Sequence, residues 1–294
     1  PLKKKLSLTG DDVKQEGKLD RLLKDLGAKI LEPVPGETAW HYHEAEIAPA
    51  AALAADWRAW PGFTQRTVWS KKQGHTWFAA EITVPEAARG QTFLLRFSSQ
   101  WQERPGSTDP QCNAYLNGRL VQAIDGNHTE VVLMRDAVPG TRIVIHVDAF
   151  TFFDRPLAGF GAEWMVRNEA VEALYHDLRT PFDVAARLQQ ADPRRHQIFN
   201  RVDAALRALD RRGTGLTEGL GASLAAAGAI ADSIYALEDT EVQPTVHAFG
   251  HTHIDIAWLW RVLHTREKGG RSFATALANM AEFPHFKFMY NQAV

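Results

Sequence analysis

The sequence predicts a multi-domain α+β protein: an N-terminal antiparallel β-sandwich, a helical bundle acting as a linker, and a first βαβ unit of a parallel sheet or α/β barrel. Three observations carry this. Between about residues 69 and 150, short apolar runs alternate with a period of two and are separated by turn dipeptides. From about 165 to 237 the apolar spacing lengthens to that of a helix. Beyond Pro244 an apolar run, a helix-like segment and a second apolar run follow one another, an order that fits two parallel strands joined by a helical crossover. The expected boundaries are an N-terminal helical segment at 1–28, the sandwich at 29–165, the helical linker at 166–243 and the parallel unit from 244 to 294.

Taken in order, residues 11–26 place Val13, Leu19, Leu22, Leu23 and Leu26 at helical spacing, with Gly27 as a stop. The next stretch, with Pro33, Pro35, Trp40, Trp57, Trp60 and Pro61, lacks a period and reads as an irregular wrap whose tryptophans anchor packing. Phe78, Ala80, Ile82 and Val84 then alternate up to Pro85, followed by Phe93, Leu95 and Phe97. Asn117-Gly118 between two apolar triplets signals a hairpin, because a type I′ turn needs positive φ at both central positions. Val131 to Met134 is a further strand, Pro139-Gly140 the next turn, and Ile143, Ile145, Val147 and Ala149 keep the period of two. Several short strands set off by turns suggest a sandwich.

The helical region begins with Val171, Leu174, Tyr175 and Leu178, leading to Pro181. Asp192-Pro193 is an N-cap followed by the proline favoured at the first helical position. Ile198, Val202, Leu206 and Leu209 form the next stripe, with Gly213 as its stop, and a third helix runs from about Thr217 to Leu237. The pairs Arg194-Arg195 and Arg211-Arg212 read as solvated helix ends. In the last segment the helix carries Phe273, Leu277 and Met280 and closes at Glu282-Phe283-Pro284, before a strand at 286–290. Two parallel strands cannot cover both of their faces, so the sequence is expected to stop within its last domain.

Composition narrows the function classes. With 33 Lys and Arg against 35 Asp and Glu, the net charge of -2 argues against a nucleic-acid-binding or polybasic membrane protein. Lys3-Lys4-Lys5 is a terminal basic run and reads as a solvated tail. The Ala-rich run from Leu220 to Leu237 is interrupted by Gly221, Gly228 and Asp232, too polar for a membrane span. A single cysteine, Cys112, excludes an internal disulfide framework and points to a reducing, cytoplasmic compartment. Oligomeric state is left open, with a homo-oligomer allowed.

The chemistry concentrates in His251-Thr252-His253-Ile254-Asp255-Ile256-Ala257-Trp258-Leu259-Trp260. On an extended backbone, residues i, i+2 and i+4 share a face, so His251, His253 and Asp255 point the same way. Two imidazoles and a carboxylate suit a borderline divalent metal such as zinc. An aromatic three residues past the Asp would form an apolar wall for a ligand. The plainer alternative is a buried strand end whose polar residues satisfy neighbouring loops.

This string resembles the start of the catalytic domain of the family 38 glycoside hydrolases, the α-mannosidases. The similarity continues through Lys268, Arg271-Ser272-Phe273 and Phe286-Lys287-Phe288. Asn127-His128-Thr129-Glu130-Val131 and Glu172-Ala173-Leu174-Tyr175-His176-Asp177-Leu178 are similar to upstream stretches of the family's cytosolic or bacterial type. The resemblance implies that 244–294 starts a catalytic α/β barrel, whose active site forms at the carboxyl ends of the strands. It implies His253 and Asp255 as ligands of zinc or another divalent metal, Trp258 as the wall beside the sugar, and His251 as a supporting neighbour. It also implies hydrolysis of terminal α-mannosides of oligosaccharides or glycans by a retaining mechanism. The nucleophile is expected beyond Val294, so no catalytic residue is assigned within the chain, and the isolated chain is expected to be inactive. The pattern departs from the family at Arg261, at His264 and Glu267, and at Gly269-Gly270. Two other readings stand beside it: a non-catalytic carbohydrate-binding or assembly module, and an unrelated hydrolase using His251, His253 and Asp255 together.

Overall fold

The computed structural model describes residues 10–70, 74–98, 110–126, 128–152, 157–210, 218–237, 245–258 and 260–290. The run at Lys3-Lys4-Lys5, Asn127, the segment from Arg211-Arg212 and Gly213 to Thr217, Pro244, Leu259 and the chain end at Val294 lie outside the described residues. The fold is mixed, with helices and antiparallel sheets. The chain divides into two compact units, Pro1–Glu32 with Arg167–Pro244, and Pro33–Val166 with Thr245–Val294.

The first unit is helical: α1 (Gly10–Gly27), α3 (Glu169–Arg187), α4 (Pro193–Ala208) and α5 (Glu218–Tyr235). Leu19, Leu23 and Leu26 of α1 share an apolar core with Val171, Leu174, Leu178, Val202 and Leu206. The N-terminal helix is therefore one wall of the bundle. Asn168 caps α3 by accepting from the Val171 amide at 3.2 Å, and Asp192 caps α4 by accepting from the Arg194 amide at 2.9 Å. Pro193 follows at the first helical position, as its fixed φ favours.

Two expectations for this unit are corrected. The helix does not stop at Pro181 but runs on to Arg187. A proline removes the bond to the carbonyl four residues back, here Asp177, and that oxygen instead accepts from the Tyr235 hydroxyl at 3.2 Å. Nor is Arg195 a solvated helix end: it is 2% exposed. Its guanidinium donates to the Ala185 carbonyl and to Glu16, each at 2.6 Å, and lies over the Phe199 ring. Its neighbour Arg194 does stay at the surface, paired with Asp192.

The second unit holds β2 (His41–Glu44), α2 (Pro49–Ala54), β3 (Val68–Trp69), β4 (Gly74–Thr83), β5 (Thr92–Ser98), β6 (Gln111–Leu116), β7 (Arg119–Ile124), β8 (Glu130–Met134), β9 (Arg142–Thr151), β10 (Leu157–Ala158) and β11 (Gly161–Arg167); β1 (Leu31–Pro33) lies at the boundary between units. One antiparallel sheet has the order β2-β4-β9-β6-β7, and β11, β5 and β8 are neighbours in another. Both sheets contribute to one core, in which Phe78, Ile82, Ile145 and Val147 meet Phe93, Leu95 and Val131. At its centre Phe78 and Phe160 stack with ring centroids 3.7 Å apart. The Asn117-Gly118 turn joins β6 to β7 with φ of 49° and 81°, both in the left-handed region that a type I′ turn requires.

Alternation in β4 revealed one buried face, yet Trp77 and Ala79 on the opposite face are also fully buried. Trp77 packs there with Ala52 and Tyr115. Of the tryptophans in the aperiodic stretch, Trp40 and Trp57 are buried packing anchors, as expected.

The unit is completed by β12 (Gly250–Thr252), α6 (Val262–Glu282) and β13 (Phe288–Tyr290). The two strands are parallel, pairing Gly250 with Phe288 and Thr252 with Tyr290. The apolar run before Gly250 does not form the expected buried strand: Val246 is 82% exposed, because the three-residue partner offers ladder bonds to 250–252 alone. Helix α6 also faces the other way from what its apolar stripe implies. It buries His264, Thr265, Gly269, Arg271 and Ala276 and leaves Phe273, Leu277 and Met280 exposed. Among the described residues, no helix is long and apolar enough to cross a membrane.

Candidate functional site

Gly250 opens the site. Its N–H donates to the Lys287 carbonyl at 2.6 Å, and a Cβ there would stand 2.6 Å from Phe286 Cζ. Only a glycine admits that close approach, which brings β12 alongside the segment entering β13. The chain leaves β12 after Thr252, so His253 and Asp255 lie just beyond the carboxyl end of a parallel strand.

There the structure brings those two residues together: His253 Nε2 is 3.0 Å from Asp255 Oδ1, and both side chains are about half exposed. The loop that follows is fastened from behind. The Asp255 carbonyl accepts from the Trp260 indole at 3.2 Å, and Thr265 Oγ1 accepts from the same indole and from the Ala257 amide, each at 3.1 Å. Ala257 takes a φ of 51° at this bend, uncommon for a residue with a Cβ. Trp258 is 64% exposed and meets Trp260 edge to face. His251, on β12 itself, is exposed and stands on the rim of a cavity with His253, whereas Asp255 and Trp258 do not line it.

That cavity, of about 480 Å³, runs between α6 and the β7 end of the large sheet and is lined by Gln111, Asp125, His128, His253, Trp260 and Lys268, among others. Its floor is cationic. Lys268 Nζ and the Arg271 guanidinium both donate to Gln111 Oε1, and the ammonium stands 4.4 Å from the centroid of the Trp260 ring. Burial, reinforced by the Arg271 charge, lowers the Lys268 pKa to about 8. On the rim, the Asp125 carboxylate accepts from His128 and raises its pKa. Such a lining can hydrogen-bond hydroxyl and carboxylate oxygens while an indole edge supplies an apolar wall.

The residues fit a metal as a partial set. Two donors bound to one zinc at about 2.1 Å stand about 3.4 Å apart in tetrahedral geometry, close to the 3.0 Å that separates His253 and Asp255. His251 does not join the His253–Asp255 contact. Gln111, Asp125 and Thr265 were not singled out from the sequence, since nothing local marks a glutamine in a distant strand as a partner of Lys268.

Residues 243–294 match the family model described as glycosyl hydrolases family 38 N-terminal domain. The chain is 28% identical over 240 residues to alpha-mannosidase 2C1 of Homo sapiens, covering 74% of this chain and 21% of that protein. It is 32% identical over 143 residues to alpha-mannosidase G of Dictyostelium discoideum, covering 48% and 12% respectively. The chain thus spans about a fifth or less of the length of these curated relatives. Among solved structures, a beta-glucuronidase of Ruminococcus gnavus aligns over 47% of this chain and 28% of that one, at 15% identity and a TM-score of 0.32.

Proposed function

From the match of residues 243–294 to the glycosyl hydrolase family 38 model and the likeness to curated α-mannosidases, we propose that this chain is the amino-terminal part of a zinc-dependent, retaining α-mannosidase of that family, acting on terminal α-mannosides of oligosaccharides or glycans. In this reading 29–165 is a β-sandwich, 166–243 a helical linker with 1–28 as its N-terminal helical segment, and 244–294 the start of the catalytic α/β barrel. One observation carries it: the His253–Asp255 pair sits past the carboxyl end of a parallel strand, where α/β barrels place their chemistry.

His253 and Asp255 would hold the zinc, which when bound would grip vicinal hydroxyls of the sugar and favour its distortion. Trp258 offers the sugar an exposed apolar face, and the Thr265–Trp260 clasp fixes the carbonyl of Asp255 so that its carboxylate keeps its direction. Further ligands and the carboxylate nucleophile would come from sequence outside this chain. The outward stripe of Phe273, Leu277 and Met280 supports that reading, because apolar faces of this size in soluble proteins are normally covered. The chain's single cysteine, Cys112, is buried, which is consistent with a reducing cytoplasmic compartment.

Of the described tryptophans, Trp258 is the one more than half exposed, so the packing anchors of the second unit lend no support to a separate sugar-binding module. The test is to express the gene product including whatever follows Val294 and to assay it on an aryl α-mannoside. Zinc-dependent turnover that His253→Ala and Asp255→Ala abolish is expected. A full-length product without turnover, or turnover indifferent to both substitutions, would overturn the reading.

A further inference from the structure

Away from His253 and Asp255, the second unit contains another convergence of metal-binding side chains. His75 comes from β4, and His264 and Glu267 come from the first turns of α6. Spacing of i and i+3 puts the latter two on one face of the helix, the face that α6 buries. One ligand atom from each of the three residues lies within 4.8 Å of the other two. His264 is 2% exposed, and the side chains of His75 and Glu267 are 5% and 14% exposed.

The details separate a metal site from an ordinary buried network. His75 Nδ1 donates to Asp148 Oδ1 at 2.8 Å, an arrangement that fixes the ring and leaves the lone pair of the other nitrogen directed away from the carboxylate. That other nitrogen, Nε2, is buried and has no hydrogen-bond partner among the described residues. It faces Glu267 Oε1 at 3.7 Å, too long for a hydrogen bond but near the roughly 3.4 Å separating two donors on a tetrahedral zinc. Phe150 forms an apolar wall, with its ring centroid 5.1 Å from that of His75 and 4.2 Å from that of His264.

We propose that His75, His264 and Glu267 form a divalent-metal site, distinct from the His253–Asp255 pair, with Asp148 orienting His75 from behind. Two imidazoles and one carboxylate select zinc or a similar borderline ion over magnesium or calcium, which prefer all-oxygen shells. The donors are slightly too far apart as they stand, so side-chain rotation contracts the set on binding. Arg261 is the competing cation: its amide donates to His264 Nδ1 at 3.4 Å, and its Nη2 approaches His264 Nε2 at 3.2 Å and Glu46 at 2.9 Å. An incoming metal displaces the guanidinium from His264 and leaves it on Glu46. The metal ties α6 to β4, an interior strand of the large sheet, and its role is to anchor the helix that follows the candidate active-site loop.

The experiment uses the full 294-residue chain stripped with chelator, titrated with zinc by calorimetry and with cobalt(II) by visible absorption. The expected result is one tight zinc equivalent and the intense absorption of tetrahedral cobalt. Both persist in His253→Ala and Asp255→Ala. Glu267→Gln, nearly isosteric and so least harmful to folding, weakens binding at least tenfold with the far-UV spectrum unchanged. Asp148→Asn weakens it by about 10–100-fold, and Arg261→Gln leaves it equal or tighter. Absence of tight binding overturns the proposal, as does a zinc equivalent that Glu267→Gln leaves intact or that His253→Ala removes. Because these measurements need no mannosidase activity, the outcome is independent of the proposed reaction.

Discussion

Gly250→Ala probes the contact on which the candidate site is hung. The new methyl carbon would lie 2.6 and 2.9 Å from two atoms of the Phe286 ring and 3.4 Å from Phe288 Cδ2. Carbon atoms in contact prefer about 3.5–4.0 Å, so the ring must retreat by about 1 Å. The backbone cannot open instead without lengthening the Gly250–Lys287 bond, which is 2.6 Å. Overpacking of this kind costs about 1–3 kcal/mol. Phe286 is only partly buried, which places the expected loss near the lower end, at about 1–2 kcal/mol. The assay is urea unfolding followed by tryptophan fluorescence, since all nine tryptophans fall within 33–166 and 245–294 and report on the second unit alone. Phe286→Leu removes the offending ring edge, so the double variant should recover about 1 kcal/mol relative to the sum of the two single changes. A neutral Gly250→Ala, or additivity within about 0.3 kcal/mol, would refute the argument that close approach to Phe286 demands glycine here.

Three further outcomes follow from the helical unit, each read by far-UV circular dichroism. Arg195→Met keeps an apolar stem but removes one of two donors to the Ala185 carbonyl, which still accepts from the Leu188 amide at 3.1 Å. Glu16, a third exposed, can rehydrate, so a loss of about 1–2 kcal/mol is expected; a change below about 0.5 kcal/mol would show that the buried guanidinium contributes nothing net. Tyr235→Phe removes the donor to the carbonyl freed by Pro181 and should cost about 0.5–1 kcal/mol. In a Pro181→Ala background the same change should cost nothing, since the helix then makes its own bond. The third concerns acid. Lys24 and Arg179 donate to Asp20 and hold its pKa below the usual carboxylate value, and the side chain and amide of Arg194 do the same for Asp192. A carboxyl whose folded pKa is depressed stabilises the fold above its unfolded pKa, near 3.9, and loses that contribution as pH falls through the folded value. Helical signal should therefore be insensitive to these groups at neutral pH and begin to erode below about pH 4. Erosion that instead begins between pH 5 and 7 would assign acid lability to other groups.

Much of this protein was legible from local signals. The Asn117-Gly118 turn, the Asp192-Pro193 cap, the period of two in β9 and the family likeness of His253-x-Asp255-x-x-Trp258 each depend on residues a few positions apart. Backbone sterics and side-chain periodicity act over that range, so the sequence alone determines them. Tertiary structure decided what depends on distant partners. Leu19, Leu23 and Leu26 predicted a helix but not that it would share a core with α3 and α4. Arg195 looks like any surface arginine until Ala185 and Glu16 close on it. The stripe on α6 named its apolar face correctly, yet packing buries the opposite face, because His264, Thr265 and Arg271 find polar partners there while Phe273 and Leu277 remain outside. Most plainly, His75 and Glu267 are far apart in the chain, and only the pairing of β4 with β9 and the docking of α6 bring them within 3.7 Å. Spacing along a chain encodes which residues share a face; which faces meet is settled by the competition among all of them for burial and for polar partners.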